Sequence, residues 1–352
     1  MLLPCMTVFI PSTPKRRSRN YLRLFMWTST FLCTLAGMAL IALLTQKTAA
    51  LSNTEATIAA TDTTLPPLPV GVNPDAKIIE ENPDVDAYMS AFVASNHTKP
   101  AIGDSWFDRA LAKLTEHDWY QNLATPATRI LIIQSGERHE EIAKNFSRIL
   151  RWTAEEKGIF TERLMDEVPA IKDGKLYPGR YIVVSDAGPE EVAVAVADRF
   201  NAEVRTRYTD KVAKTLPLKD ALIIASLIER EAYDFDDMRY ISGVIWNRLF
   251  IDMKLQIDAT LQYARGEQSA AAGGRYWPVP RAQDKFIKSP YNTYQNKGLP
   301  PTPIANPSID AIIAALNPRE TDCLFYYHTD DGTFYCNATY EAHVAGIKVH
   351  LK

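Results

Sequence analysis

The sequence predicts an α+β protein built in series: a single-pass membrane anchor, a small strand–helix–helix–strand module, and a mainly helical domain that ends in a β-hairpin. Three observations predict it. The run 24–45 is apolar and carries no charge. Between 129 and 184, two β-type runs flank segments of helical periodicity. From residue 218 the apolar positions recur every three to four residues, and an Asp-Gly turn between aromatic runs follows near the end. The 352 residues are 46% hydrophobic and 23% charged, enough to bury a core in one or two domains. A formal net charge of −3 argues against nucleic acid as a partner.

The basic cluster Lys15, Arg16, Arg17, Arg19 and Arg23 precedes the apolar run. The run is about as long as a spanning helix needs, roughly 20 residues. The positive-inside rule then makes 1–23 a cytoplasmic tail and places everything beyond the span outside the inner membrane. A cleaved signal peptide is the alternative, with small residues at Thr48-Ala-Ala50. The run is longer than the usual h-region of about 7–15 residues. Residues 46–75 are polar and rich in Thr, Ala and Pro, and read as an extended linker. Residues 76–125 read as mostly helical, without a clear role.

The next block, 126–205, begins with the strand run Arg129-Ile-Leu-Ile-Ile133 and the turn Gln134-Ser-Gly136. Helical periodicity follows over 139–152, and a second amphipathic stretch starts at Thr161. The turn Lys172-Asp-Gly-Lys175 leads into a second strand over 176–184, and a helix over 189–200 closes the block. In the last domain, 206–352, helices are expected over 218–233, 238–249 and 310–316. The segment 264–288 is polar and reads as a loop at the mouth of a groove. Leu324-Phe-Tyr-Tyr-His328, the turn Thr-Asp-Asp-Gly332 and Thr333-Phe-Tyr-Cys336 form the hairpin. It brings Cys323 and Cys336 within disulfide reach, and two buried free thiols are the other possibility. The six histidines show no zinc-ligand spacing, so no metal is expected.

The most informative position is Glu231. Ile224, Leu227, Ile228 and Glu231 fall at i, i+3, i+4 and i+7 of one helix, so this carboxyl points where the apolar side chains point. Burial disfavours the charged form and raises the pKa. A carboxylic acid still protonated near neutral pH is what glycosidic cleavage needs. A glutamate tied to a buried arginine is the bland reading. Glu229 projects to nearly the opposite face and is expected to pair with Arg230, Arg239 or Arg248.

Four stretches in order carry a resemblance. They are Ala225-Ser-Leu-Ile-Glu-Arg-Glu231; Val244-Ile-Trp-Asn-Arg-Leu249 with Met253-Lys-Leu-Gln-Ile-Asp258 and Thr260-Leu-Gln-Tyr263; Ser289-Pro-Tyr-Asn-Thr-Tyr294 with Gly298-Leu-Pro-Pro-Thr-Pro-Ile304 and Asn306-Pro307; and Phe334-Tyr-Cys-Asn337 with His343. Together, over about 129–350, the chain resembles the MltG, or YceG-like, family of endolytic murein transglycosylases. The resemblance implies a LysM-like, glycan-binding module at 126–205 and a catalytic domain at 206–352. It implies cleavage of the β-1,4 bond between N-acetylmuramic acid and N-acetylglucosamine in peptidoglycan strands, leaving a 1,6-anhydro end. It maps the single catalytic acid to Glu231, the residue that the helical wheel selects independently. No cofactor is implied. The label aminodeoxychorismate lyase, used for some relatives, is disfavoured, because no phosphate-binding loop or candidate lysine for pyridoxal phosphate stands out.

Other residues have expected roles in a glycan groove. Gln256 and Asp258, two apart on an extended piece, face one side and suit sugar hydroxyls. Tyr291, Asn292 and Tyr294 offer aromatic faces and an amide, and Asn337 a contact from the hairpin. Leu299-Pro-Pro301 shapes a rigid wall. Asn306 and Pro307 read as the cap and first position of a helix. The chain departs from the family pattern at Ala232, Ala259 and Ser308, where Thr, Pro and Gly are usual. Two other readings stand beside the lyase: a lysozyme-type hydrolase using Asp258 as second carboxylate, and a non-catalytic peptidoglycan-binding scaffold. Peptidoglycan synthases at the membrane are candidate partners.

Overall fold

Residues 221–228, Ala-Leu-Ile-Ile-Ala-Ser-Leu-Ile, are buried without exception, so the helix that carries them is central to the fold. The structure, a computed structural model, describes residues 66–81, 128–166 and 169–351. These belong to one unit, 66–352. The anchor expected at 24–45 and nearly all of the helical segment expected at 76–125 lie outside the described residues. Among the described residues no helix is long and apolar enough to cross a membrane.

The chain enters with strands β1 (Val72–Asn73) and β2 (Ile78–Ile79), a small antiparallel pair. This corrects the reading of 46–75 as spacer throughout. Leu68 and Val72 are each only 2% exposed. The Leu68 and Gly71 N–H groups donate to the carbonyls of Arg207 and Leu316, and Asn317 Nδ2 donates to the carbonyl of Pro69. Two apolar side chains in a polar stretch suffice to dock it once its backbone groups find partners.

Strand β3 (Thr128–Ile133), helices α1 (His139–Leu150) and α2 (Ala154–Arg163), and strand β4 (Gly179–Val184) follow in the expected order. β3 and β4 pair antiparallel, from Thr128 opposite Val184 to Ile133 opposite Gly179. Helix α3 (Pro189–Glu203) starts with proline at a first-turn position and closes a core of Leu131, Ile142, Phe146, Phe160 and Val192. α2 begins at Ala154, seven residues before the start expected from periodicity at Thr161. A capping box decides it: Thr153 accepts from the Glu156 N–H while Glu156 takes the Thr153 N–H.

The helical body has its own core. Helix α4 (Asp210–Thr215) leads into α5 (Leu218–Glu231), and α6 (Phe235–Phe250), α7 (Asp258–Ala271) and α8 (Ile309–Leu316) pack around α5. Fully burying each Leu or Ile of α5 contributes roughly 1.5–3 kcal/mol. The segment 264–288 is not all loop, because α7 runs to Ala271. Strands β5 (Phe325–His328) and β6 (Phe334–Asn337) form the hairpin, with Gly332 at φ +84° in its turn. A disulfide joins Cys323 to Cys336, and helix α9 (Tyr340–His350) covers the outer face.

Candidate active site

α5 ends at Glu231, and the backbone turns extended at Ala232. The carboxyl therefore sits at the C-terminal end of α5, where that helix's own dipole disfavours negative charge. Two segments distant in sequence meet it. The phenol of Tyr326, on β5, donates to Glu231 Oε2 at 3.0 Å. The N–H of Ala259, in the first turn of α7, donates to Oε1 at 3.4 Å. Burial pushes the Glu231 carboxyl up to about 7; the two donors and Arg230 pull it down, and the Asp258 charge adds to the rise. A carboxyl near 7 can give up a proton and take one back at neutral pH, as general acid–base catalysis requires. Burial and the Glu231 carboxylate together raise the Tyr326 phenol well above its ordinary value, so Tyr326 acts as a donor and not as a base.

A strut sets the spacing of the two donors. Arg248 of α6 donates from Nε to the Leu324 carbonyl at 2.6 Å, and from Nη1 to the Leu255 carbonyl. It thus ties the approach to β5, which carries Tyr326, to the approach to α7, which carries Ala259.

Glu229 has different company. Its Oε2 accepts from the Ser308 N–H at 2.9 Å and the Ser308 hydroxyl at 2.6 Å, and Ser135 also bonds its carboxyl. The expected pairing with Arg239 or Arg248 is replaced: those arginines bond backbone carbonyls at Asn317, Leu324 and Leu255. Arg230 lies with its Cζ 3.9 Å above the ring of Trp277, whose Nε1 donates to Glu141. Gly136, at φ +80°, lets the turn after β3 lie against Arg230; an added Cβ would stand 3.2 Å from Nη1.

The other expected site residues divide. Gln256 and Asp258 are both exposed, between buried Leu255, Ile257 and Ala259, so they do share a side. The backbone there is not extended: Gln256 has φ +52° and Asp258 opens α7. Asp258 Oδ1 accepts from the Tyr294 phenol at 2.7 Å, which brings Tyr294 to the Glu231 neighbourhood. Tyr291 is half-buried, bonded to Thr302 and packed on Tyr263. Asn292 turns inward. It is fully buried, its Nδ2 donates to the carbonyls of Lys285 and Ile287, and its Oδ1 accepts from the Tyr294 N–H. It shapes the loop and presents no amide to a groove. Asn337 is opposite Phe325 in the hairpin register, on the face packed against α9 and away from Tyr326 and Glu231. Asn306 does not cap a helix: Ser308 caps α8 by accepting from the Ala311 N–H.

Asn306 instead joins the two cores. Its side chain accepts from the Gly174 and Leu176 N–H groups and donates to the Glu137 carbonyl and Asp173. Asp173 also accepts from the His139 N–H and the Tyr263 phenol, and bonds the His139 ring at 2.9 Å. His139, Glu140 and Asp173 bring ligand-type atoms within 4.8 Å of one another. Each is already engaged, Glu140 by Arg138, so the cluster reads as a junction between module and body.

Comparison with known proteins agrees with this architecture. The chain is 31% identical over 181 residues to an endolytic murein transglycosylase of Streptococcus pneumoniae serotype 2 (strain D39), covering 51% of this chain and 32% of that protein. It is 34% identical over 172 residues to an endolytic murein transglycosylase of Bacillus subtilis (strain 168), covering 49% and 46%. The chain thus spans a third to a half of the length of these relatives. A crystal structure of a YceG-like protein from Listeria monocytogenes superimposes with a TM-score of 0.53 at 28% identity, covering 61% of this chain and 75% of that one. The family model described as YceG-like matches residues 89–349, and with most of its length inside that match the chain belongs to the YceG-like family.

Proposed function

We propose that the protein is an endolytic peptidoglycan lytic transglycosylase with Glu231 as its one acid–base group. The observation that carries this reading is a half-buried glutamate whose carboxyl is pushed up to about 7 by desolvation and held by one donor on each oxygen. Protonated Glu231 gives its proton to the glycosidic oxygen between N-acetylmuramic acid and N-acetylglucosamine as the C1–O bond breaks. The carboxylate then takes the proton of the muramyl C6 hydroxyl, whose oxygen bonds to C1 and closes the 1,6-anhydro ring. No water is consumed and the enzyme ends as it began. The nucleophile belongs to the substrate, so a single carboxyl serves both steps and proximity is built in.

On this reading Gln256, Asp258 and Tyr294 bind the strand beside Glu231, with Tyr291 behind them. The βααβ module is a LysM-like glycan-binding unit, and the N-terminal apolar run anchors the chain in the inner membrane with its catalytic domain outside. There it meets nascent strands beside peptidoglycan synthases and ends their growth. The reading is supported by the relatives, which are endolytic murein transglycosylases, and by the charge pattern around the apolar run. One observation favours a second reading: Asp258 is close enough for its charge to act on Glu231, as a lysozyme-type hydrolase would use it.

The test is to incubate the protein with uncrosslinked peptidoglycan strands and read the product ends by mass spectrometry, with Glu231→Gln alongside. Anhydro ends from the parent and none from the variant are expected. Reducing ends would move the protein to the hydrolases and bring Asp258 forward. No cleavage by folded parent would leave a peptidoglycan-binding scaffold.

A further inference from the structure

Beyond the Tyr326 donor lies an aromatic surface that the chemistry above does not use. The β5–β6 register pairs His328 with Phe334 and Tyr326 with Cys336, so Tyr326, His328 and Phe334 share the hairpin face turned to α6. Tyr326 and Phe334 are stacked at 6.0 Å between centroids, and Tyr240 of α6 continues the stack on Phe334 at 5.7 Å. Tyr233, two residues past Glu231, packs edge-on against His328 at 4.7 Å. The outer rings are open, Tyr233 being 72% and Tyr240 38% exposed. The inner end is Tyr326, whose phenol is hydrogen-bonded to Glu231. One aromatic row therefore runs from the Glu231 carboxyl to solvent.

The row is held in place. Asp237 Oδ2 is bonded to the His328 ring at 2.8 Å and accepts from the Tyr233 N–H at 3.3 Å, so one carboxylate ties the α5–α6 turn to the hairpin. A singly exposed tyrosine needs no explanation. Tyr233 is different, because it extends a pre-set aromatic row leading to an acid. Apolar, aromatic walls with a few convergent polar groups are the composition of sites for ring-shaped amphipathic ligands. A pyranose fits the description: its C–H face lies on an aromatic ring while its equatorial hydroxyls stay in water.

We infer that Tyr233 and Tyr240, with the hairpin face between them, form a sugar-stacking subsite on the Oε2 side of Glu231. Asp258, the sequence neighbour of the Ala259 donor, and its partner Tyr294 offer a second grip beside Glu231, so a strand is held at two points about the bond to be cut. The inference rests on the transglycosylase reading for the place of that bond. Holding sugars on both sides is what internal cleavage, as opposed to trimming of an end, requires.

The test separates the two claims by measuring binding without cleavage. In the full chain carrying Glu231→Gln, affinity for a soluble, uncrosslinked glycan oligomer is titrated calorimetrically, with Tyr233→Ala or Tyr233→Phe added. Loss of one ring stack weakens binding by about three- to tenfold. The Ala variant should lose that much and the Phe variant almost nothing, with unchanged melting temperatures. Equal binding by the Ala variant, equal loss in the Phe variant, or no glycan binding by the parent would each overturn the subsite. With Glu231 intact, Tyr233→Ala should also shift the lengths of the released fragments. An unchanged length distribution would overturn the inference even if the product ends prove to be anhydro.

Discussion

Two groups of polar residues, a buried one joining the βααβ module to the helical body and a half-buried one around Glu231, are built on opposite terms. At the junction, Asp173 takes bonds from His139, Tyr263 and Asn306, and Asn306 is engaged on both its oxygen and its nitrogen. Glu229 lies against the same junction with Ser308 and Ser135 as its partners. Around Glu231, one phenol and one long backbone N–H are the partners of a carboxyl just as deeply set. A saturated group is held in one geometry and serves the fold, even though burial raises the Glu229 carboxyl as well. A sparsely bonded one keeps a protonation equilibrium near neutral pH and serves chemistry. On the proposed function, two carboxyls two residues apart on one helix thus have different work.

The largest expected effect breaks the active side of this contrast. Glu231→Gln should lower the cleavage rate by about a thousandfold, within the range for loss of a general acid. The same variant should be more stable than the parent above pH 7. Glu231 has a folded value of about 7 against an ordinary 4.5, so its contribution is fully present below about 4.5 and is lost as pH rises through 7. That loss is on the order of 3 kcal/mol. Melting curves of parent and variant at pH 5 and 8.5 check it; a parent that gains stability over that interval relative to the variant would refute the sign. The cleavage rate of the parent should likewise fall on the alkaline side of about pH 7, because in the proposed mechanism the acid form does the first step.

Next in size is the saturated side. Asn306→Ala leaves the Gly174 and Leu176 N–H groups and Asp173 short of partners, at a cost of about 3 kcal/mol in denaturant unfolding. Its residual folded fraction should cleave at the parent rate. A fall in rate matching that of Glu231→Gln would erase the distinction drawn between the two clusters.

A smaller change sharpens the contrast. Ala259→Pro removes the N–H that bonds Glu231, at a first-turn helix position where proline costs little. With less to stabilise the carboxylate, the alkaline limb of the rate profile should move to higher pH. Tyr326→Phe should move it in the same direction and also lower the rate about tenfold by freeing the carboxyl to rotate. A shift to lower pH in both would show that these donors bind the neutral acid instead. Last, reducing the Cys323–Cys336 disulfide should cost about 2–3 kcal/mol of stability, without moving the pH limb.

Much of this molecule could be read from residues alone. The stripe Ile224, Leu227, Ile228 singled out Glu231 because helical periodicity is local, yet the helix is buried on every side over 221–228, so the wheel alone does not part Glu231 from Glu229. The order strand, helix, helix, strand followed from the change of period between 129 and 184. The hairpin followed from Asp331-Gly332, because a positive φ needs glycine. Only the tertiary structure decided who meets Glu231. Tyr326 and Ala259 are 95 and 28 residues away in sequence, and nothing in their own neighbourhoods marks them as its donors. It also turned Asn292 inward, put Asn337 on the far face of its hairpin, and made Asn306 a bridge where a cap was expected. Hydrogen-bond partners of buried polar groups are chosen by whichever segments packing brings together, and that choice has no period to read.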